Sequence, residues 1–232
     1  MKRFSGCPNM SLNELPSQLY TQFASIGQAL SNDSRLRLLN LLAQSERSVD
    51  DLAGKLGQSV ANTSAHLRVL KRAHMVSTRR DGRRVFYRLS GQPALKLWLA
   101  LRDMGLESVP EVREAMRVHA SDPDVIPDFE GAQLLDKVER GEVILLDLRP
   151  AEEYLAGHLP RAQSVPSAEL SKRIDTLPRD REVVAYCRGP YCVAAIESVA
   201  KMRAQGISAR RLAPGIAEWL AAGKTLETQS NL

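Results

Sequence analysis

The stretch Val49-Asp-Asp-Leu-Ala-Gly-Lys-Leu-Gly-Gln-Ser-Val-Ala-Asn-Thr-Ser-Ala-His-Leu-Arg-Val-Leu70 decides how the first half of the chain folds. Val49 to Leu56 carries apolar residues at helical spacing, and Gly57 breaks that helix. Ser59 then offers an N-cap oxygen to a second helix running through Leu70. Two short helices joined across a glycine form a helix-turn-helix, whose second helix enters the major groove of DNA. Val60, Leu67, Val69 and Leu70 read as the buried side of that helix. Asn62, Thr63, Ser64, His66 and Arg68 are left among the more exposed positions, with Ser59 at its start. Such side chains suit base edges and phosphates.

Working outward, Met75-Val-Ser-Thr-Arg-Arg-Asp-Gly-Arg-Arg-Val-Phe-Tyr-Arg-Leu89 reads as two β-rich runs around Asp81-Gly82, a strong hairpin signal. Arg79, Arg80, Arg83 and Arg84 cluster at its tip, placed to follow phosphates or enter a minor groove. Upstream, Leu12 to Leu30 repeats apolar residues near the 3.6 period, and Asn32 or Asp33 can cap a following helix. Downstream, Leu95, Leu97, Trp98, Leu99, Leu101, Met104 and Leu106 line one more helix, as domain core or as a contact surface.

Charge supports a division of labour. The 232 residues carry 32 basic and 27 acidic side chains, a net of +5. Residues 1–120 hold 18 basic against 10 acidic, a net of +8; residues 121–232 hold 14 against 17, a net of −3. A basic front half points to a polyanion partner. The segment Ala120-Ser-Asp-Pro-Asp-Val-Ile-Pro-Asp128 reads as a linker, giving a domain over 1–120, a linker over 121–128 and a second domain over 129–232. Three cysteines (Cys7, Cys187, Cys192) are too few for a secreted disulfide framework. With no signal-like opening and no apolar run of membrane-spanning length, the expectation is a cytoplasmic protein without membrane contact.

After the linker the pattern changes. Val143 to Leu148 and Glu182 to Cys187 are short β-rich runs, each followed by an amphipathic helix from about Ala151 and Val193. That alternation predicts a parallel sheet with crossover helices. The fold class expected overall is therefore multidomain: a mainly α winged helix-turn-helix, then an α/β domain with a central parallel sheet. Cys187-Arg-Gly-Pro-Tyr-Cys192 sits where strand turns into helix, so backbone N–H groups and Arg188 face the first thiol. These favour a thiolate at Cys187, a nucleophile in a cradle suited to a persulfide or oxyanion. Cys192, five residues on, is read either as a partner that bridges Cys187 or as a small side chain at the first helical turn.

Two families are resembled. Leu30-Ser-Asn-Asp-Ser-Arg-Leu-Arg-Leu-Leu39, the turn from Leu52 to Ser59, His66-Leu-Arg-Val-Leu70 and Gly82-Arg-Arg-Val-Phe-Tyr-Arg-Leu89 resemble the ArsR winged-helix regulators over residues 15 to 119. The resemblance implies a homodimer on double-stranded operator DNA, with first and last helices packed across the two-fold axis. Metal-sensing members carry a Cys-x-Cys pattern before the turn; this chain has Arg47-Ser-Val-Asp-Asp-Leu52, which offers a soft metal no thiolate. Asp50, Asp51 and His119 read as a cap and a solvated face, so neither metal nor cofactor is expected.

The run Leu145-Leu-Asp-Leu-Arg-Pro-Ala-Glu-Glu-Tyr-Leu-Ala-Gly-His-Leu-Pro-Arg-Ala-Gln-Ser-Val-Pro166 and the closing Leu212-Ala-Pro-Gly-Ile-Ala-Glu-Trp-Leu-Ala-Ala-Gly223 resemble the rhodanese sulfurtransferases. Pro214 replaces the first of that family's paired glycines, and Gly215 is the second. The resemblance implies a persulfide on Cys187, a cradle from the backbone of Arg188, Gly189, Pro190, Tyr191 and Cys192, and a small sulfur donor such as thiosulfate or polysulfide. Asp147, Arg149, Glu153 and His158 are assigned supporting roles around the loop. Phosphatases of this fold need an arginine where Val193 stands, so phosphoryl transfer is not expected. Three function classes stay open on the residues: a sulfur-responsive regulator, a sulfurtransferase whose winged helix only dimerises or locates it, and an arsenic or oxidant sensor that draws in Cys7.

Overall fold

The computed structural model describes residues 15–114, 125–127 and 131–228. Cys7, His119 and most of the expected linker lie outside these. The chain falls into two compact units, one formed by Met1–Leu41 and Arg47–Ser90, the other by Leu42–Glu46 and Gly91–Leu232.

The first unit contains α1 (Leu15–Leu30), α2 (Asp33–Leu42, its last residue in the other unit), α3 (Val49–Leu56), α4 (Val60–Arg72) and a three-stranded sheet. Its strands are β1 (Arg47–Ser48), β2 (Val76–Asp81) and β3 (Arg84–Leu89), antiparallel in the order β1-β3-β2. The Asn32 side chain accepts the Arg35 N–H at 3.2 Å and so caps α2. Gly57 takes φ 67°, the left-handed conformation that ends α3. The Ser59 hydroxyl accepts the Asn62 N–H at 3.2 Å, starting α4 as expected. Leu38, Leu39, Leu52, Leu56, Leu67 and Leu70 are buried and hold these helices together. At the hairpin tip Asp81 pairs with Arg84, and Gly82 turns at φ 57°.

The second unit opens with α5 (Gln92–Ser108), followed by α6 (Gly131–Glu139), β4 (Val143–Asp147), α7 (Ala151–Ala156), β5 (Gln163–Ser164), α8 (Leu170–Arg173), β6 (Glu182–Tyr186), α9 (Val193–Ala204), β7 (Ala209–Arg211) and α10 (Ile216–Ala221). Strands β5-β4-β6-β7 form a parallel sheet, with Asp147 paired to Tyr186 and to Ser164. Both faces are covered. Leu146, Val183 and Ala185 pack toward Ala195, Val199 and Met202 of α9, while Leu145, Val184 and Tyr186 pack toward Ile216 and Trp219 of α10.

Ile126, from the stretch read as linker, bridges in parallel to Leu212, donating to Arg211 O at 2.8 Å and accepting from Ala213 N at 2.9 Å. Helix α5, which the sequence division assigned to the first domain, groups by its packing with the second unit, where it lies on α10. Among the described residues no helix is long and apolar enough to cross a membrane.

Candidate functional sites

Two surfaces carry chemistry, one in each unit. On α4, Ser59, Asn62 and Arg68 are exposed, and Ser64 and His66 are half-buried. Asn62 Nδ2 donates to Gln58 Oε1 at 3.1 Å, which orients the amide at the start of the helix. Thr63 corrects the sequence reading. It is fully buried beside the unit's leucines, and its hydroxyl has no hydrogen-bond partner, so it cannot face DNA. Val60, expected inside, is 44% exposed instead. The helix is rotated from the expected phase, with Thr63, Leu67 and Leu70 inward at the i, i+4, i+7 spacing. On the wing Arg79, Arg80, Arg83 and Arg84 are all exposed. Arg79 is drawn back along the sheet: its guanidinium lies 4.8 Å from the Phe86 ring centre and 3.3 Å from Asp81. The free reach of the wing therefore comes from Arg80, Arg83 and Arg84.

In the second unit, Cys187 follows the last residue of β6, at the carboxyl end of the parallel sheet where ligands of such sheets are bound. The loop from Arg188 to Cys192 turns back on itself. Gly189 has φ 128°, and Cys192 N–H donates to Gly189 O at 3.3 Å. This return places the two sulfurs 2.8 Å apart, hydrogen-bonded to each other, with both thiols free. Cys187 is buried and Cys192 half-buried, at the N-cap of α9.

The electrostatics correct one expectation. The sequence placed the acidic thiol at Cys187; in the structure the Cys187 thiol is pushed up, first by its hydrogen bond with Cys192 and then by burial. Cys192 is held down to about 6 by the hydrogen bond from Cys187, by the Ala195 and Arg188 amides and by the Arg188 charge. The contact and these amides thus favour a thiolate at Cys192 over one at Cys187. The Arg188 amide faces both sulfurs.

The supporting residues come together as a buried scaffold rather than as reagents. Asp147 and Arg149 are fully buried and paired, with Nη2 to Oδ2 at 2.6 Å and Nε to both oxygens at 3.0 Å. The same carboxylate accepts the Tyr186 hydroxyl at 2.6 Å, while Leu159 N–H donates to that hydroxyl at 3.1 Å. Arg149 Nη2 also donates to Gly157 O at 2.8 Å, tying down the bend before His158. His158 stacks on Tyr154 at 3.9 Å between ring centres. Buried Glu153 grips Arg188 at 2.5 Å, which fixes the loop's one guanidinium near the sulfurs.

Four further residues of the site escaped sequence reasoning. Arg211, at the end of β7, is buried and donates to Pro190 O at 2.8 Å. Tyr186 links the scaffold to the strand before Cys187. Glu218 Oε2 accepts the Gly215 N–H at 2.8 Å, and its Oε1 takes Arg102 of α5 at 2.7 Å. The Arg102 guanidinium also lies 5.6 Å from the Tyr191 ring centre. A glutamate three residues after the glycine that opens α10 is a capping pattern, and it was the available signal for Glu218. Arg102 had none, because its partner is 116 residues away. Gly215 has a steric reason. A Cβ there would stand 2.4 Å from Cys187 O and 2.7 Å from Gly189 N, inside the loop.

Residues 130–222 match the Rhodanese-like domain, and residues 32–78 match the Bacterial regulatory protein, arsR family. The HTH-type transcriptional regulator Rv0324 of Mycobacterium tuberculosis is 42% identical over 206 residues, 88% of this chain and 90% of that protein. The nodulation protein NolR of Rhizobium meliloti is 37% identical over 93 residues, 40% of this chain and 76% of its own. Among solved structures, the homodimeric winged helix-turn-helix DNA-binding domain Mb0332 of Mycobacterium bovis is 33% identical, with a TM-score of 0.41, covering 45% of this chain and 95% of that one.

Proposed function

Because the chain belongs to the ArsR family of HTH-type, DNA-binding transcriptional regulators and carries a rhodanese-like domain behind its helix-turn-helix, we propose that it regulates transcription in response to sulfane sulfur loaded on Cys187. α4 and the wing hold operator DNA, and two copies of the chain bind it together. Apolar side chains left exposed support the pairing: Leu19, Tyr20 and Phe23 on α1, and Leu97 and Met104 on α5.

Sulfur loading is a displacement. The Cys187 thiolate attacks the outer sulfur of a donor such as thiosulfate, forming a Cys187 persulfide and releasing sulfite. Cys192 accepts the Cys187 proton across the 2.8 Å contact as the nucleophile forms. Arg188, held by Glu153, supplies positive charge beside the bound anion.

One observation carries the coupling to DNA. The Glu218 carboxylate holds the Gly215 backbone under the cysteine loop with one oxygen and Arg102 of α5 with the other. α5 follows the wing strand β3 directly in the chain, so a shift of the loop on loading bears on the element that leaves the DNA-binding unit. Operator fragments selected from random-sequence DNA by the unloaded protein are titrated with protein before and after thiosulfate or polysulfide treatment, for wild type and Cys187→Ser. Loading changes the affinity of the wild type alone. Equal affinities in all four titrations overturn the reading.

A further inference from the structure

Once Cys187 is loaded, a simple persulfide carrier has no further use for Cys192, yet the fold holds its sulfur 2.8 Å from the sulfur that carries the load. Three separate features enforce that approach. Gly189 adopts a backbone conformation closed to other residues, and a Cβ there would meet the Glu218 carboxylate at 3.1 Å. Arg211 holds the Pro190 carbonyl at 2.8 Å from the neighbouring strand. The Ala195 N–H, in the first turn of α9, joins the Arg188 amide in facing the Cys192 sulfur. A loop meant only to expose Cys187 needs none of these to return residue 192 to a contact of 2.8 Å.

We infer that Cys192 is a second catalytic cysteine, which resolves the Cys187 persulfide as an intramolecular disulfide and releases the sulfane sulfur as sulfide. The inference rests on the persulfide reading above and names the fate of that persulfide. After the donor has given its sulfur, the Cys192 proton passes to the outer sulfur. The Cys192 thiolate attacks Cys187 Sγ, the Sγ–Sγ bond forms, and the bond to the outer sulfur breaks with its electron pair leaving as HS⁻. The two protein thiols are oxidised, and the sulfane sulfur is reduced to sulfide. With thiosulfate as donor, the monoanionic thiol pair and thiosulfate become one disulfide, one sulfite and one hydrosulfide, so charge, protons and electrons balance without an outside oxidant. An attacking group already at contact distance acts at an effective concentration that a diffusing acceptor does not reach. Cys187 is also only 5% exposed, which limits competing thiols. The loaded state is therefore transient, and the disulfide, opened again by a cellular dithiol, is the lasting signal.

The test uses the full chain, reduced and freed of reductant, with thiosulfate as the only sulfur source. Wild type releases sulfite and sulfide in equal amounts and loses about 2 Da on forming its disulfide. Cys192→Ser and Cys192→Ala, which lack the thiol that takes the Cys187 proton, load more slowly, but the sulfite they release comes without sulfide and each loaded chain keeps a gain of about 32 Da. Cys187→Ser releases neither. A wild type that keeps the added sulfur without releasing sulfide overturns the inference and leaves the persulfide reading standing, as does sulfide release from the Cys192 variants at the wild-type rate. Absence of sulfite from wild type and the Cys192 variants alike defeats the persulfide reading itself, and the inference with it.

Discussion

The arginines of the wing and those around the cysteine loop are the same residue put to opposite uses. Arg80, Arg83 and Arg84 stand exposed at a hairpin tip, where they contribute almost nothing to holding the fold and are available to an outside anion. Arg149 and Arg211 are buried, and Arg188 is half-buried; each is bound to partners within the protein: Asp147 and Gly157, Pro190, and Glu153. Those charges shape a loop and meet no ligand directly, apart from Arg188 at the edge of the sulfurs. Net charge per half therefore reports the exposed arginines of the wing. It says nothing of the cysteine loop, whose charges cancel in place.

That contrast breaks first at Asp147. Asp147→Asn leaves the Arg149 guanidinium buried without its counter-charge and strips the Tyr186 hydroxyl of its charged acceptor, so it should cost about 3–5 kcal/mol. Urea unfolding of the second unit measures this. A loss below about 1 kcal/mol would show that the scaffold is dispensable.

A second measurement sharpens the comparison within the sulfur site. With Cys192 held down to about 6, alkylation of the pair by iodoacetamide should rise as pH increases through about 6, where its thiolate forms. In Cys192→Ser the remaining buried Cys187 lacks that partner, and the rise should move to higher pH. An unchanged midpoint in the variant would remove Cys192 as the seat of the charge.

The smallest effects belong to the DNA surface. Arg84→Ala should leave thermal stability within about 0.5 kcal/mol of wild type while lowering the salt slope of operator binding by about 1. Thr63→Val, which replaces a buried unpaired hydroxyl, should leave operator affinity unchanged and raise stability by up to about 1 kcal/mol. A fall in affinity for Thr63→Val at unchanged stability would restore Thr63 to the interface.

Much of the architecture was legible because it is written in local chemistry. Gly57 at a left-handed turn, Ser59 as a cap and Asp81-Gly82 at a hairpin act within a few residues, and each stands where the sequence placed it. The alternation of short apolar strands with amphipathic helices likewise reads out as the parallel sheet. The phase of α4 was less legible. Val60 and Thr63 are both β-branched and of similar size, and only the packing of Leu67 and Leu70 against the other helices decides which turns inward.

The candidate site divides along the same line. Cys187, its loop, Asp147, Arg149, Glu153 and His158 were all named by motif, and the structure gathers them at one end of the sheet. Their assignments within that site were not readable. Which sulfur holds the charge depends on a 2.8 Å contact and on the amides of Arg188 and Ala195, and both follow from how the loop closes.

What the sequence determined by itself is the pair of domain types, the strands, helices and turns, the location of the basic surface and the loop that carries the two cysteines. These rest on backbone preferences and on spacing along the chain. Only the tertiary structure decided that Thr63 is core, that Arg211 and Glu218 brace the loop, that Arg102 of α5 shares the Glu218 carboxylate and that the thiolate is drawn to Cys192. Each of these depends on distances of a few ångströms between segments far apart in the chain, or on burial. Electrostatic and steric energies are set by those distances, and spacing along the sequence does not fix them.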